Sequence, residues 1–90
     1  SYLESEYYEV ARNMFQKVTC LDTSNKLAIF LFMYASAFYF FYKNRFSKAY
    51  RYVENAMAFQ IHDNDKAPYL DSLTKLKNEI AKDMKRSRRL

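Results

Sequence analysis

Hydrophobic and polar residues recur along this chain at the three- and four-residue spacing of amphipathic helices. The pattern predicts a first helix over about residues 3–19, a third over about 45–61 and a fourth that begins near residue 65. Each has one apolar stripe, and we expect an apolar surface to cover each stripe. The stripe of the first helix consists of Leu3, Tyr7, Val10, Ala11, Met14, Phe15 and Val18. The other two consist of Phe46, Ala49, Tyr50, Val53, Ala56, Met57 and Ile61, and of Leu70, Leu73, Leu76, Ile80 and Met84.

The second helix, over about residues 25–43, contains an uncharged run from Leu27 to Tyr42. A membrane span is one interpretation, but 16 helical residues extend only about 24 Å, against roughly 30 Å of hydrocarbon. The run also carries serine and tyrosine, and amphipathic helices flank it. We therefore predict a central, largely buried helix. An alternative is that its surplus aromatic side chains form an interface.

Short polar clusters separate the helices. Thr23 or Ser24 is the predicted N-cap of the second helix, and Asp65 that of the fourth, which leaves Pro68 in the first turn. Loops this short make neighbouring helices antiparallel. The sequence thus predicts an all-α fold of four antiparallel helices in a single domain over residues 1–90. The acidic start and basic end of that domain suggest a piece of a longer protein.

Composition excludes several classes of function. The 90 residues contain no glycine and one proline, so tight β-hairpins and glycine-rich phosphate loops are not expected. The single Cys20 and single His62 cannot form a disulfide or a zinc site by themselves. Cys20, at an apolar helix end, is expected to be a small buried hydrophobe instead of a nucleophile paired with His62. We predict no enzymatic activity, no cofactor and no metal, and a reducing intracellular location, nuclear or cytoplasmic.

The second and third helices share a pattern of small and bulky residues. Small residues allow two helices to approach closely, and large ones fill the space beside them. The residues are Ala37, Phe40, Phe46, Ala49, Val53 and Ala56, with Asn44 in the turn, where left-handed geometry is expected. This pattern resembles one tetratricopeptide repeat, a helical hairpin family. The resemblance implies hairpin packing and a protein-binding function.

Two further resemblances involve neighbouring segments. Asp22 with Ala28, Phe32 and Ala35 looks like the first hairpin of a microtubule-interacting-and-trafficking (MIT) domain, which implies a groove that binds a helical tail. The segments 46–59 and 66–69 are similar to the C-terminal homology domain of the AFF transcription-elongation scaffolds. That likeness implies a nuclear, dimeric scaffold.

We predict a docking module whose aromatic groove binds a partner helix or a short, acidic peptide. The predicted contact residues are Tyr34, Tyr39, Tyr42, Lys48, Tyr50, Arg51 and Tyr52. Homodimerisation through the same surplus of aromatic surface is an alternative. Binding of nucleic acid or an anionic surface is another, through a basic patch formed by Lys82, Lys85, Arg86, Arg88 and Arg89. Nucleic acid is disfavoured because no aromatic residue interrupts that patch.

Overall fold

The computed structural model describes the backbone of residues 2–89 and the side chains of residues 3–86. It contains four helices, and all-α is therefore confirmed. They are α1 (Tyr2–Leu21), α2 (Lys26–Tyr42), α3 (Phe46–Ala58) and α4 (Asp63–Arg89). Each helix packs against the next as a hairpin, and α2 also touches α4. Over the described residues, α1 packs against α2 alone.

The hydrophobic core lies between α2, α3 and α4. Its fully buried residues are Phe30, Ala37, Ala49, Val53, Ala56, Leu73 and Ile80. Three alanines among them let α2, α3 and α4 approach closely, while Phe30 and the branched side chains fill the interior. This confirms the small–bulky pattern predicted between α2 and α3. None of the core cluster comes from α1.

The cap of α2 is Asn25, so the prediction of Thr23 or Ser24 was wrong. The Asn25 side chain accepts a hydrogen bond from the Ala28 backbone N–H at 3.0 Å. Ser24 bonds Asp22 instead: its N–H and its hydroxyl both donate to the Asp22 carboxylate, at 3.1 and 2.6 Å. These two bonds favour the charged carboxylate and lower the pKa of Asp22.

The turn between α2 and α3 uses Asn44 with φ of 61°, the left-handed conformation expected there. The backbone N–H of Asn44 donates to the carbonyl of Phe41 at 3.0 Å, and the backbone N–H of Arg45 donates to the carbonyl of Phe40 at 2.8 Å. Two of the last four carbonyls of α2 are thereby satisfied without glycine.

The connection between α3 and α4 differs from the prediction. Helix α3 ends at Ala58, because Phe59 adopts an extended conformation. Helix α4 begins at Asp63, so Asp65 is not its N-cap and Pro68 lies inside the helix, beyond the first turn. His62 caps the start of α4 instead. Its Nδ1 accepts a hydrogen bond from the backbone N–H of Asn64 at 3.2 Å.

Lys66, which lies on α4, caps the C-terminal end of α3. Its ammonium donates to the carbonyls of Met57 and Phe59, at 2.5 and 2.6 Å. Helix α3 has no basic residue in its own last turn, so α4 supplies the cation that its C-terminal dipole favours.

No helix in the described part of the chain combines the length and apolar character needed to cross a membrane. This agrees with the prediction that α2 is a central helix and not a span.

Candidate functional site: the face between α1 and α3

Helix α1 is rotated relative to the expectation from its apolar stripe. Ser5, Tyr8 and Arg12 face α2, and Ser5 is buried. Most of the stripe points outward: Leu3 is 76% exposed, Val10 59% and Met14 60%. The expectation that an apolar surface covers this stripe is therefore wrong within the described residues. The surface of α2 explains the choice, because Ser36 and a group of aromatic rings fit an arginine better than they fit aliphatic side chains.

Arg12 forms the centre of the interface between α1 and α2. Its Nε donates to the hydroxyl of Ser36 at 2.7 Å, and Ser36 is fully buried. Its guanidinium carbon lies 5.3, 5.0 and 5.0 Å from the ring centres of Phe32, Tyr39 and Phe40. These distances lie within the range of cation–π attraction.

Lys48 of α3 approaches the same aromatic cluster. Its Nζ lies 5.1 Å from the centre of the Phe40 ring, which also stacks on Tyr52 at 5.6 Å. Phe40, Lys48, Arg51, Tyr52 and Asn55 line a groove of about 220 Å³. We call the surface formed by Arg12, Tyr39, Phe40, Lys48, Arg51 and Tyr52 the cationic aromatic face.

The charge of this face is not neutralised from within. Among the described residues, no carboxylate forms an ion pair with Arg12, Lys48 or Arg51. Among the described residues, Arg12 forms a side-chain hydrogen bond through Nε, and the two terminal nitrogens of its guanidinium have no acceptor there. The face can therefore accept an anion, and its rings offer an apolar floor.

Four of the seven predicted contact residues belong to this face: Tyr39, Lys48, Arg51 and Tyr52. Tyr34 and Tyr42 lie in a second cluster on α2, in which Tyr42 contacts α1 and Tyr34 contacts α4. Tyr50 lies elsewhere again, with the ammonium of Lys77 5.7 Å from its ring centre. The structure thus divides the predicted set among three places.

In the second aromatic cluster, α2 contacts α1 through Phe38 and Tyr42 and contacts α4 through Tyr34. Tyr8 stacks on Phe38 at 5.0 Å and on Tyr42 at 6.0 Å, and Tyr34 packs against Tyr69 of α4 at 4.9 Å. Burial, followed by the neighbouring tyrosines and Glu4, raises the pKa of Tyr8 to about 12. Burial also raises the pKa of Tyr42. This cluster holds α1 in place and presents uncharged phenols.

The predicted basic patch is partly compensated by its own helix. The Nζ atom of Lys82 lies 3.6 Å from Oε1 of Glu79, and the Nη1 atom of Arg86 lies 3.4 Å from Oδ1 of Asp83. Lys85 is exposed. The side chains of Arg88 and Arg89 lie outside the described residues.

The features that bear on catalysis are sparse. Cys20 is exposed, so its expected burial was wrong. His62 acts at the start of α4, as described above. No group of three or more metal-binding side chains is found in the part of the chain that the structure describes.

Comparisons with protein-family models, with curated proteins and with solved structures gave no match to this chain. The fold is thus described by its geometry alone, as a small domain of four helices. The residue that sequence reasoning missed is Arg12. A signal for it was present: Ser5, Tyr8 and Arg12 recur at helical spacing on the side opposite the apolar stripe.

Proposed function

We propose that this chain is a non-enzymatic protein-interaction module whose cationic aromatic face binds an acidic segment of a partner protein. The observation that carries the proposal is the geometry of Arg12. Its guanidinium is held by Ser36 against three rings and has no carboxylate partner among the described residues. The resemblance of α2 and α3 to a tetratricopeptide hairpin supports the same class of function. The MIT-like and AFF-like patterns suggest related binding or scaffolding roles, inside the cell.

The physical basis is preorganisation. A surface arginine loses side-chain entropy when it binds a carboxylate. Arg12 has already lost much of that entropy, because its hydrogen bond to Ser36 and the three aromatic rings around its guanidinium hold it in place. A carboxylate that approaches the terminal nitrogens can form two parallel charge-assisted hydrogen bonds. Lys48 and Arg51 add longer-range attraction, which speeds encounter with acidic segments. The rings of Phe40 and Tyr52 then bury an apolar side chain of the same segment.

The first test measures binding of a labelled peptide rich in glutamate and leucine by fluorescence anisotropy, with a lysine–leucine peptide of equal length alongside. We expect binding of the acidic peptide only, weaker at higher salt. Lys48→Glu and Arg51→Glu should each weaken binding about tenfold, because each reverses a charge beside the groove. Lys85→Glu is the matched control, with the same charge change on exposed α4, and should change binding less than about twofold.

A second variant separates geometry from charge. Arg12→Lys keeps the positive charge but loses the planar guanidinium, and we expect it to weaken binding at least about tenfold. Circular dichroism must show that the variant is folded. Equal losses in Lys85→Glu and Arg51→Glu would show that only net charge matters. That result, or failure to bind the acidic peptide, would overturn the proposal.

A further inference from the structure

The outer face of α1 is an apolar surface, interrupted only by Lys17, on a helix that contacts the rest of the domain from one side. Leu3, Tyr7, Val10, Met14 and Leu21 are between 59% and 89% exposed. The helix has 20 residues and is thus about 30 Å long. An exposed stripe of this extent on a small domain is typical of an interface.

The spacing of the stripe suits a second helix. The outward positions fall at residues 3, 7, 10, 14, 17 and 21, which alternate steps of four and three. This is the spacing of a seam between two helices that pack along their length. Lys17 is the one charged residue on that seam, and it is exposed.

Lys17 selects the orientation of the two helices. In a parallel pair of two α1 helices, each Lys17 would face the other Lys17 across the seam, and the like charges would repel. In an antiparallel pair centred on residue 12, the facing positions are those whose numbers sum to 24. Leu3 then faces Leu21, and Val10 faces Met14.

The antiparallel register also gives Lys17 suitable partners. Lys17 faces Tyr7 of the other copy, and Glu6 directly precedes Tyr7 in that copy. A cation–π contact and an ion pair can form there, twice in each dimer. The exposed surface of α1 is therefore complementary to itself in charge as well as in apolar character.

We infer that the domain forms a two-fold symmetric dimer in which two α1 helices pack antiparallel through their outer faces. One helix face is a small interface, so the dimer is expected to be weak, with a dissociation constant of about micromolar order. Arg12 lies on the opposite side of α1, so the cationic aromatic face stays open in the dimer. The inference does not depend on the proposed peptide-binding function.

The primary test is sedimentation equilibrium over a wide range of protein concentration. We expect the wild-type chain to change from monomer to dimer as concentration rises. Met14→Glu should abolish the dimer, because it places two buried charges at the centre of the seam. Gln16→Glu is the matched control: it adds the same charge on α1 outside the seam and should leave dimerisation unchanged. A chain that stays monomeric at every concentration would overturn the inference.

A charge exchange tests the predicted pairing. Glu6→Lys and Lys17→Glu should each weaken the dimer several-fold, because each places like charges together twice. The double variant should restore wild-type affinity, since it only reverses each pair. A double variant that dimerises more weakly than both single variants would refute the pairing.

Cysteine crosslinking tests the orientation. In the antiparallel register the two copies of Cys20 lie about 24 Å apart along the helix axis, too far for a disulfide. Asn13 lies beside the two-fold axis, where its two copies are far closer than the two copies of Cys20, so Asn13→Cys in a Cys20→Ser background should crosslink faster than the wild-type chain. Faster oxidation of the wild-type chain to a covalent dimer than of this variant would overturn the antiparallel arrangement.

Discussion

Replacement of Arg12 is expected to destabilise the domain more than any other loss of one charge. Arg12→Met keeps most of the aliphatic length but removes the guanidinium that joins α1 to α2. The cation–π contacts to three rings, which share one partly desolvated cation, contribute about 2 kcal/mol together. Loss of the hydrogen bond leaves the hydroxyl of Ser36 fully buried without its partner, at a cost of about 1–3 kcal/mol.

The free energy of unfolding should therefore fall by about 3–5 kcal/mol. For a domain of this length, such a loss lowers Tm by roughly 12–40 °C. Urea titrations followed by circular dichroism measure the free energy, and thermal scans provide an independent check. Lys85→Met, which removes an exposed charge from α4, is the control and should change stability by less than about 0.5 kcal/mol.

A double-mutant cycle isolates the contact itself. Ser36→Ala should cost about 1 kcal/mol alone, and the coupling between Arg12→Met and Ser36→Ala should be about 1 kcal/mol. A loss below 0.5 kcal/mol for Arg12→Met, or a coupling near zero, would refute the view that Arg12 organises this interface.

Three further predictions concern the remaining contacts. Lys66→Met should lower the free energy of unfolding by about 2 kcal/mol, because it removes two charge-assisted hydrogen bonds from the end of α3. Lys75→Met is the control: it loses only an exposed ion pair and should cost under about 1 kcal/mol. The raised pKa of Tyr8 means that the folded state retains its proton while the unfolded chain loses it, so stability should fall as pH rises from 10 towards about 12, and less steeply in Tyr8→Phe. Ala49→Leu should cost about 3 kcal/mol or prevent folding because it overfills the core, whereas Ala58→Leu at the exposed end of α3 should be nearly neutral.

Each of these has a distinct contrary result. Equal effects of Lys66→Met and Lys75→Met would show that the bonds to the α3 carbonyls contribute no more than a surface pair. Parallel pH profiles for wild type and Tyr8→Phe would place the alkaline transition on other tyrosines. A stable Ala49→Leu protein would mean that α2 and α3 can separate without cost.

Much of the fold follows from local chemistry. The helical periodicity located α1, α3 and α4, and the uncharged run from Leu27 to Tyr42 located α2. The alanines at positions 37, 49 and 56 indicated where α2 and α3 approach closely. Asn44 could be assigned to the turn because few residues other than glycine tolerate positive φ. The caps were less predictable: Thr23, Ser24 and Asn25 all have capping side chains, and only the structure shows that Ser24 bonds Asp22 while Asn25 caps α2.

The candidate site was predictable in part. Lys48, Arg51 and Tyr52 share one face of α3 by helical spacing alone, so their proximity could be foreseen. The separation of Tyr34, Tyr42 and Tyr50 from that face could not, because it depends on which neighbour each side of α2 and α3 meets.

The amino-acid sequence by itself determined that this protein is four helices with an apolar stripe on each amphipathic one. The tertiary structure alone decided which side of α1 packs. Periodicity shows that a helix has two different faces, but the covered face depends on the surface that receives it. Here α2 presents Ser36 and aromatic rings, which provide Arg12 with a hydrogen-bond acceptor and cation–π contacts. If the apolar stripe of α1 packed there instead, the buried hydroxyl of Ser36 would lie against aliphatic side chains. The stripe therefore remains outside, where a second molecule can reach it.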